Sequence, residues 1–239
     1  MNTQLVGRLA LVTGGTRGIG AAIAARLLAQ GASVTVMGTS LNGIAPKGCK
    51  YYAVDFTDRS ATEKFAKAVG NWEVDILINN AGINKIGPFE QLKPKDFDAI
   101  QEVNVRAPFL LCRAVIPGMK RKNWGRIVNI SSIWGKISAE FRGPYSASKF
   151  ALDGMTAALA AEVAKYGILA NCVAPGAIDT ELTRTILGEK GIAGITQKIP
   201  IGRLGKPEEV AAFVAWLSGV DNTYISGQNI AIDGGFTRV

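Results

Sequence analysis

A tyrosine and a lysine four residues apart are the side chains in this sequence best suited to proton transfer. They are Tyr145 and Lys149, in the stretch Tyr-Ser-Ala-Ser-Lys. Residues four apart lie on one face of a helix, so the phenol and the ammonium group can approach each other. A free tyrosine has a pKa of about 10, and a neighbouring cation lowers it. The spacing therefore indicates an acid–base group that works near neutral pH.

The absence of histidine narrows the chemistry further. None of the 239 residues is histidine, which excludes a Ser-His-Asp or Cys-His hydrolase and a histidine-based zinc site. We expect no metal. The three cysteines, Cys49, Cys112 and Cys172, are far apart in the sequence, so we expect reduced thiols rather than disulfides.

A glycine-rich turn near the N-terminus predicts a phosphate-binding site. The stretch Thr13-Gly-Gly-Thr-Arg-Gly-Ile-Gly20 lies between an apolar run and a helical pattern. Glycines at 14, 18 and 20 allow the backbone to approach a ligand closely, and the following helix offers free N–H groups to a pyrophosphate. The spacing is G-x-x-x-G-x-G, and its position after the first strand indicates a dinucleotide.

The residues after the second strand predict which dinucleotide is bound. NAD-selective sites have an acidic residue here that accepts from the ribose 2′-hydroxyl. This sequence has Met37-Gly-Thr-Ser40 instead. Thr39 and Ser40 offer hydroxyl donors, and Arg17 can supply positive charge to a 2′-phosphate, so we expect NADP(H). The alternative interpretation of Arg17 is a solvated loop residue.

Short apolar runs alternate with helical patterns along the whole chain, as in a parallel sheet covered on both faces. We predict one α/β domain over residues 1–239, a Rossmann fold with a doubly wound seven-stranded parallel sheet and helices on both faces. The segment 181–200 is glycine-rich and weakly patterned, which is typical of a lid over a substrate. Predicted strands cover 8–13, 33–37, 50–54, 75–78, 126–130, 168–173 and 228–232, and predicted helices cover 20–30, 58–69, 94–115, 145–166 and 207–218.

Several motifs together resemble the short-chain dehydrogenase/reductase family over essentially the whole chain. They are the glycine turn, Asn79-Asn-Ala-Gly82, Ser132 thirteen residues before Tyr145, and Tyr145 with Lys149. The resemblance implies that Tyr145 exchanges a proton with the carbonyl or alcohol oxygen and that Ser132 stabilises the charge on that oxygen. It also implies that Lys149 lowers the Tyr145 pKa and binds the nicotinamide ribose. Asn104 would hold a water that links Lys149 to solvent.

The resemblance also implies a set of cofactor contacts scattered along the chain. Asp55 matches a residue that contacts adenine, although it could instead be a turn or helix cap. The family's Pro-Gly motif is Pro175-Gly176 here. The implied contacts are Gly14, Thr16, Arg17, Gly18, Ile19, Gly20, Thr39, Ser40, Asp55, Phe56, Asn80, Ala81, Gly82, Tyr145, Lys149, Pro175, Gly176, Ile178 and Thr180.

The expected substrate is an apolar or cyclic ketone, because the expected pocket wall is apolar. The closest resemblance is to the 3-oxoacyl-acyl-carrier-protein reductases. Members that dock a carrier protein often have basic residues at two positions where this chain has Tyr166 and Asn123. A stand-alone secondary-alcohol dehydrogenase is therefore the alternative, and a non-catalytic NADP-sensing regulator is a second one. The expected wall residues are Ile133, Trp134, Phe141, Ala177, Leu182 and Ile186.

The formal charge of +8 raises the question of a nucleic-acid partner. The densest basic cluster is Lys120, Arg121, Lys122 and Arg126, and no nucleic-acid motif surrounds it. We interpret it as a solvated loop, with a patch for an acidic partner or a phosphorylated substrate as alternatives, and expect neither nucleic-acid nor membrane binding. We expect a cytoplasmic protein. The resemblance implies a homotetramer assembled through 94–115, 145–166 and the last strand.

Overall fold

The computed structural model describes residues 4–239, and one seven-stranded sheet organises them. The strands are β1 (Leu9–Thr13), β2 (Ser33–Gly38), β3 (Lys50–Ala53), β4 (Ile76–Asn79), β5 (Gly125–Ile130), β6 (Ile168–Pro175) and β7 (Asn229–Ile232). Their order is β3-β2-β1-β4-β5-β6-β7, and every neighbouring pair is parallel. The prediction of a doubly wound parallel sheet is confirmed.

Helices cover both faces of the sheet. They are α1 (Gly18–Ala29), α2 (Arg59–Val69), α3 (Pro94–Gln101), α4 (Ala107–Lys122), α5 (Gly143–Val163), α6 (Glu181–Thr196) and α7 (Pro207–Leu217). One apolar cluster packs α1 and α7 against the sheet, and a second packs α2, α4 and α5 against the other face. The central strands are buried throughout because both faces are covered.

The direction of the crossovers changes between β1 and β4, which are neighbours in the sheet. The chain runs outward from β1 through β2 to β3 and then returns to pair β4 with the other side of β1. Doubly wound sheets bind ligands at such a switch point, beyond the carboxyl ends of the strands. The polar and glycine-rich motifs follow β1, β4, β5 and β6 and therefore lie at this edge.

The single long helix predicted over 94–115 is wrong in one respect. A π-helical turn, Glu102–Arg106, separates α3 from α4. Its periodicity of apolar residues resembles that of an α-helix, so the sequence pattern did not reveal it. The π-turn widens the helix at Asn104, whose side chain is buried.

The segment 181–200, predicted to lack regular structure, is mostly helical. Thr180 caps α6 by accepting a hydrogen bond from the Thr183 N–H, and none of the helix's residues is buried. Gly188 breaks the helix with φ of 61° and ψ of −179°. Because this conformation suits glycine, the helix divides into two short pieces with a joint between them. Within residues 4–239, no helix is long and apolar enough to cross a membrane.

Candidate active site

A cleft of about 600 Å³ runs along the carboxyl ends of β1, β2, β4, β5 and β6. All of the cofactor contacts expected from the sequence line it, except Ser40. Of the four expected catalytic residues, Ser132, Tyr145 and Lys149 line it, whereas Asn104 lies behind the wall. Of the expected substrate-pocket residues, Phe141 alone does not line the cleft.

The glycine turn is held by the residues that follow β4. The Asn80 amide group donates hydrogen bonds to the carbonyls of Thr13 (2.9 Å) and Gly14 (3.0 Å). In return, the Thr13 hydroxyl accepts from the backbone N–H groups of Asn80 and Ala81, each at 3.0 Å. This reciprocal network fixes the ends of two adjacent strands, so the turn keeps its shape without help from solvent.

The turn has room for a phosphate group. Gly14 and Gly18 have φ of 61° and 55°, and a Cβ atom on Gly20 would lie 2.2 Å from the Gly14 carbonyl oxygen. No side chain caps the N-terminus of α1, so its first N–H groups are open to an anionic ligand. The residues present therefore fit the pyrophosphate of a dinucleotide.

The far end of the cleft differs from expectation at two residues. The Arg17 guanidinium, expected on a 2′-phosphate, lies 3.2 Å from the Glu181 carboxylate of α6. Ser40 is exposed, and its carbonyl accepts a hydrogen bond from the Tyr51 hydroxyl. At the end of β2, the cleft is bordered by Met37, Gly38 and Thr39.

Asp55 caps a turn and also lines the cleft. Its carboxylate accepts hydrogen bonds from the N–H (2.9 Å) and the hydroxyl (2.8 Å) of Thr57. Asp55 is exposed and lines the cleft. The carboxylate therefore acts as a turn cap, and a contact with adenine stays a prediction.

Tyr145 and Ser132 meet at the opposite end of the cleft. Ser132 follows β5 and caps a short 3-10 turn, accepting a hydrogen bond from the Trp134 N–H at 3.2 Å. Burial raises the pKa of Tyr145, and a hydrogen bond with Ser132 and the positive charge of Arg142 both lower it. The net effect is a raised pKa, because burial is the largest of the three influences.

Lys149 is buried, with 4 % of its surface exposed. Its Nζ donates a 2.8 Å hydrogen bond to the Ile130 carbonyl and lies 5.6 Å from the centroid of the Tyr145 ring. Burial lowers the pKa of Lys149 to about 8. The group is held by the end of β5, and its position beneath the tyrosine leaves it facing the cleft.

The Asn104 side chain forms hydrogen bonds with the backbone of Ile83. Its side-chain amide exchanges hydrogen bonds with Ile83 and donates to the Ser148 hydroxyl at 3.0 Å. Its Oδ1 and the Lys149 Nζ lie 3.4 and 3.5 Å from the Cβ position of Gly82. Asn104 therefore positions the segment after β4 beside Lys149, and a side chain at Gly82 would crowd both groups.

Arg142 is one of the polar lining residues that were not expected from the sequence. It lies three residues before Tyr145, at the N-terminus of α5, and borders the cleft. Its only sequence signal is proximity to Tyr145. Asn84, just beyond the Asn-Asn-Ala-Gly motif, also lines the cleft, and its amide oxygen is buried without a hydrogen-bond partner among residues 4–239.

The basic cluster on α4 is largely compensated by acidic side chains. Arg121 forms an ion pair with Glu73, and the Lys122 Nζ lies 2.8 Å from the Asp75 carboxylate. The Lys120 ammonium lies over the Tyr166 ring, 4.6 Å from its centroid. Arg126, the fourth residue of the predicted cluster, lies in β5, is buried and donates to the carbonyls of Gly125 and Asn222. The interpretation as a solvated loop is therefore wrong for Arg126, and the pairing of Arg121 and Lys122 leaves little charge for a polyanion.

Fold and site together define a dinucleotide-dependent oxidoreductase of the Rossmann type. A family described as "Enoyl-(Acyl carrier protein) reductase" matches residues 14–237. The 3-oxoacyl-[acyl-carrier-protein] reductase FabG of Vibrio cholerae is 38% identical over 245 residues, which cover 99% of this chain and 100% of that protein. The chain belongs to the short-chain dehydrogenase/reductase family.

Solved structures of sugar-acid dehydrogenases are similar across the full length. A gluconate 5-dehydrogenase of Burkholderia cenocepacia, in complex with NADP and tartrate, has a TM-score of 0.92 and 29% identity, covering 100% of this chain and 98% of that one. A putative NAD(P)-dependent gluconate 5-dehydrogenase of Beutenbergia cavernae with bound NADP has a TM-score of 0.92 and 32% identity, covering 100% of both chains. The likeness extends over both the sheet and the cleft-forming segments.

Proposed function

We propose that this protein is an NADP(H)-dependent oxidoreductase that reduces a ketone to a secondary alcohol. The observation that carries the proposal is the convergence of Ser132, Tyr145 and Lys149 on one end of a cleft whose other end is the glycine turn. Ser132 is close enough to Tyr145 to lower its pKa, so two hydroxyl groups face the same space. Such a pair can hold a carbonyl oxygen and protonate it.

Each group has a distinct role in this proposal. Tyr145 donates its proton to the carbonyl oxygen during reduction and accepts one during oxidation. Ser132 donates a hydrogen bond to the same oxygen and stabilises its developing negative charge. Lys149 holds the nicotinamide ribose and supplies positive charge beneath the tyrosine. NADPH, when bound, supplies the hydride.

The cofactor is NADP(H). No acidic residue follows β2 at Gly38, Thr39 and Ser40, so no carboxylate there repels a 2′-phosphate. Arg17 lies in the glycine turn and can exchange Glu181 for that phosphate, because both side chains are exposed. The similar dehydrogenase structures with bound NADP support this assignment.

Two substrate classes remain as candidates. The relatives named 3-oxoacyl-[acyl-carrier-protein] reductase favour a 3-oxoacyl thioester, and the apolar side chains of Ile133, Leu182 and Ile186 in the wall fit an acyl chain. The similar gluconate dehydrogenases favour a stand-alone dehydrogenase of an oxo acid or hydroxy acid. The second class is also favoured by the polar Arg142 and Asn84 in the same wall.

Two further parts of the proposal concern partners, namely an acyl carrier protein and other copies of this chain. The first is the weaker part, and the second is a homotetramer. Arg121 and Lys122 beside Asn123 are ion-paired, which weakens the attraction to an acidic carrier. For assembly, exposed aromatic residues on the long helices are the supporting observation, with Phe97, Phe109 and Phe150 at 44%, 50% and 46% exposure. Light scattering coupled to size-exclusion chromatography tests the tetramer.

The decisive experiment removes one hydroxyl. Tyr145→Phe should lower NADPH oxidation with a panel of ketones by about 10²-fold or more while NADPH binding, measured by fluorescence, persists. Tyr166→Phe is the matched control, since Tyr166 lies in the turn after α5 and does not line the cleft. Activity in Tyr145→Phe close to that of the control would refute the mechanism, and NADPH binding without turnover of any ketone would favour the regulator.

A further inference from the structure

The guanidinium group of Arg142 lies in the wall of the cleft at its reactive end. Its Cζ is 5.7 Å from the centroid of the Trp134 ring. Trp134 in turn donates its backbone N–H to the Ser132 hydroxyl. Arg142 and Tyr145 are close enough for the charge of each to shift the pKa of the other. The arginine is therefore a direct neighbour of the site where the carbonyl would react.

Arg142 lacks an acidic partner within residues 4–239. The ten ion pairs of the described chain do not include it, and its side chain makes no hydrogen bond to these residues. By contrast, Arg17 at the other end of the cleft is paired with Glu181. Arg142 is half-buried, and burial lowers its pKa. A partly desolvated cation without a counter-ion is costly unless a ligand supplies the charge.

The wall beside Arg142 is also less apolar than the sequence indicated. Asn84 lines the cleft, and its buried amide oxygen has no hydrogen-bond partner among the described residues. Its segment is tied to the chain before Arg142, because the Gly87 N–H donates to the Phe141 carbonyl at 3.2 Å. This side of the pocket thus presents an unpaired cation beside a polar residue, which suits a polar substrate better than an alkyl chain.

We propose that Arg142 is a specificity-determining residue that pairs with a carboxylate on the carbonyl substrate. This inference rests on the proposed carbonyl reduction and narrows its substrate to an oxo acid. A single guanidinium offers a two-pronged donor to one carboxylate. The aromatic face of Trp134 limits the directions that the guanidinium can take, so the carboxylate would hold the carbonyl at a defined distance from Tyr145 and Ser132.

The test compares oxo acids of four to six carbons with their methyl esters, which keep the ketone and lose the charge. In the natural protein, kcat/KM for NADPH oxidation should be higher for the acid. In Arg142→Gln, kcat/KM for the acid should fall about 10- to 100-fold, the range of a charged hydrogen bond, while the value for the ester changes by less than about threefold. Arg142→Lys should recover part of the loss.

The same measurements include a control variant and distinguish the proposed role of Arg142 from an alternative one. Arg26→Gln removes the same charge from the exposed last turn of α1 and should leave both substrates unaffected. If Arg142→Gln slows acid and ester equally, Arg142 acts only through the Tyr145 pKa and the proposal is wrong. Unchanged kinetics for both substrates would overturn it too.

A binding readout keeps the inference separate from the reaction. With NADP⁺ present, the sodium salt of each oxo acid should change the tryptophan fluorescence, because Trp134 lies beside Arg142. The change should disappear in Arg142→Gln and in Trp134→Phe. Carboxylate binding without any turnover would contradict the proposed function and keep the Arg142 site. Turnover of neutral ketones without carboxylate binding would contradict Arg142 and keep the function.

Discussion

Asn104 and Ile83 are joined by two hydrogen bonds that satisfy the whole peptide edge of Ile83. The Ile83 N–H donates to the Asn104 Oδ1, and the Asn104 Nδ2 donates to the Ile83 carbonyl, each at 2.9 Å. The Asn104 side chain pairs with both backbone groups of Ile83, as a neighbouring strand would. Ile83 is the residue just beyond the Asn-Asn-Ala-Gly motif. The π-turn is what brings Asn104 to this place, since it lies at the centre of Glu102–Arg106.

Replacing Asn104 should therefore affect folding as well as turnover. Asn104→Ala leaves the N–H and carbonyl of Ile83 unpaired and should lower the free energy of unfolding by about 2 kcal/mol or more, because buried polar groups lose their partners. Urea denaturation measures the loss. Asn104→Asp keeps the acceptor and removes the donor, so its loss should be of a different size; equal stability of the natural protein and Asn104→Ala would show that solvent replaces these bonds.

Lys149 should make stability depend on pH in the alkaline range. Its pKa is about 8 in the folded protein against an ordinary value of 10.5, chiefly through burial. Below pH 8 it is protonated in both states, and the cost of burying the charge is fully present. Between those values the unfolded chain holds a proton that the folded protein has released, so the contribution of Lys149 to stability rises with pH.

The measurement compares the natural protein with Lys149→Met. The difference in free energy of unfolding, natural protein minus variant, should increase from pH 8 to pH 10. Cys112, whose pKa burial raises, titrates in both proteins and cancels in the difference. Cys172 does not cancel fully, because the Lys149 charge lowers its pKa, and this change is read from the slope above pH 10. A difference that stays flat with pH would mean that the Lys149 ammonium is solvated. The variant should be inactive at every pH.

The Arg17–Glu181 ion pair should compete with cofactor binding. Glu181→Gln frees Arg17 and should tighten NADPH binding by a few-fold, whereas Arg17→Gln should weaken NADPH binding by about tenfold and leave NADH unchanged. The pair is about three-quarters exposed at both residues, so the effects should shrink in high salt. Fluorescence titration with both cofactors decides the matter, and a clear preference of the natural protein for NADH would contradict the NADP(H) assignment.

Two glycines of the phosphate turn should differ in their tolerance of alanine. In Gly20→Ala the new Cβ would lie 2.2 Å from the Gly14 carbonyl oxygen and 2.5 Å from the Asn80 amide nitrogen, so the turn must open and cofactor binding should be lost. In Gly18→Ala the nearest atom is the Thr180 Cγ2 at 3.4 Å. Only the left-handed backbone is unfavourable there, at about 1 kcal/mol. Thermal unfolding and NADPH titration of both variants test the ranking.

Much of the fold was predictable because its signals are local. Apolar runs such as Leu9–Thr13 are buried on both faces, and glycine or proline marks the ends of most elements. The π-turn was not predictable, since Asn104 occupies a helical pattern with ordinary apolar spacing. α6 was hidden because Gly188, Gly191 and Gly194 lower the helix propensity of a segment that folds against the cleft regardless.

The residues that line the site were largely predictable, whereas the directions of their side chains were less so. Spacing placed Ser132, Tyr145 and Lys149 in one cleft. Side-chain direction is set by tertiary contacts, so neither the contact of Arg17 with Glu181 nor the position of Ser40 outside the cleft could be predicted. Arg142 went unnoticed for the same reason, because nothing in a loop sequence states that a guanidinium points into a pocket.

The cleft is assembled from segments that are far apart along the chain. The glycine turn, the residues after β4, the start of α5 and the loop after β6 contribute lining residues from Gly14 to Ile195. A molecule bound in the cleft adds contacts between these segments to the few hydrogen bonds and ion pairs that already join them. The cofactor should therefore stabilise the folded protein. At a hundred times its dissociation constant it adds about 2.7 kcal/mol to the free energy of unfolding, so the melting temperature should rise with cofactor concentration.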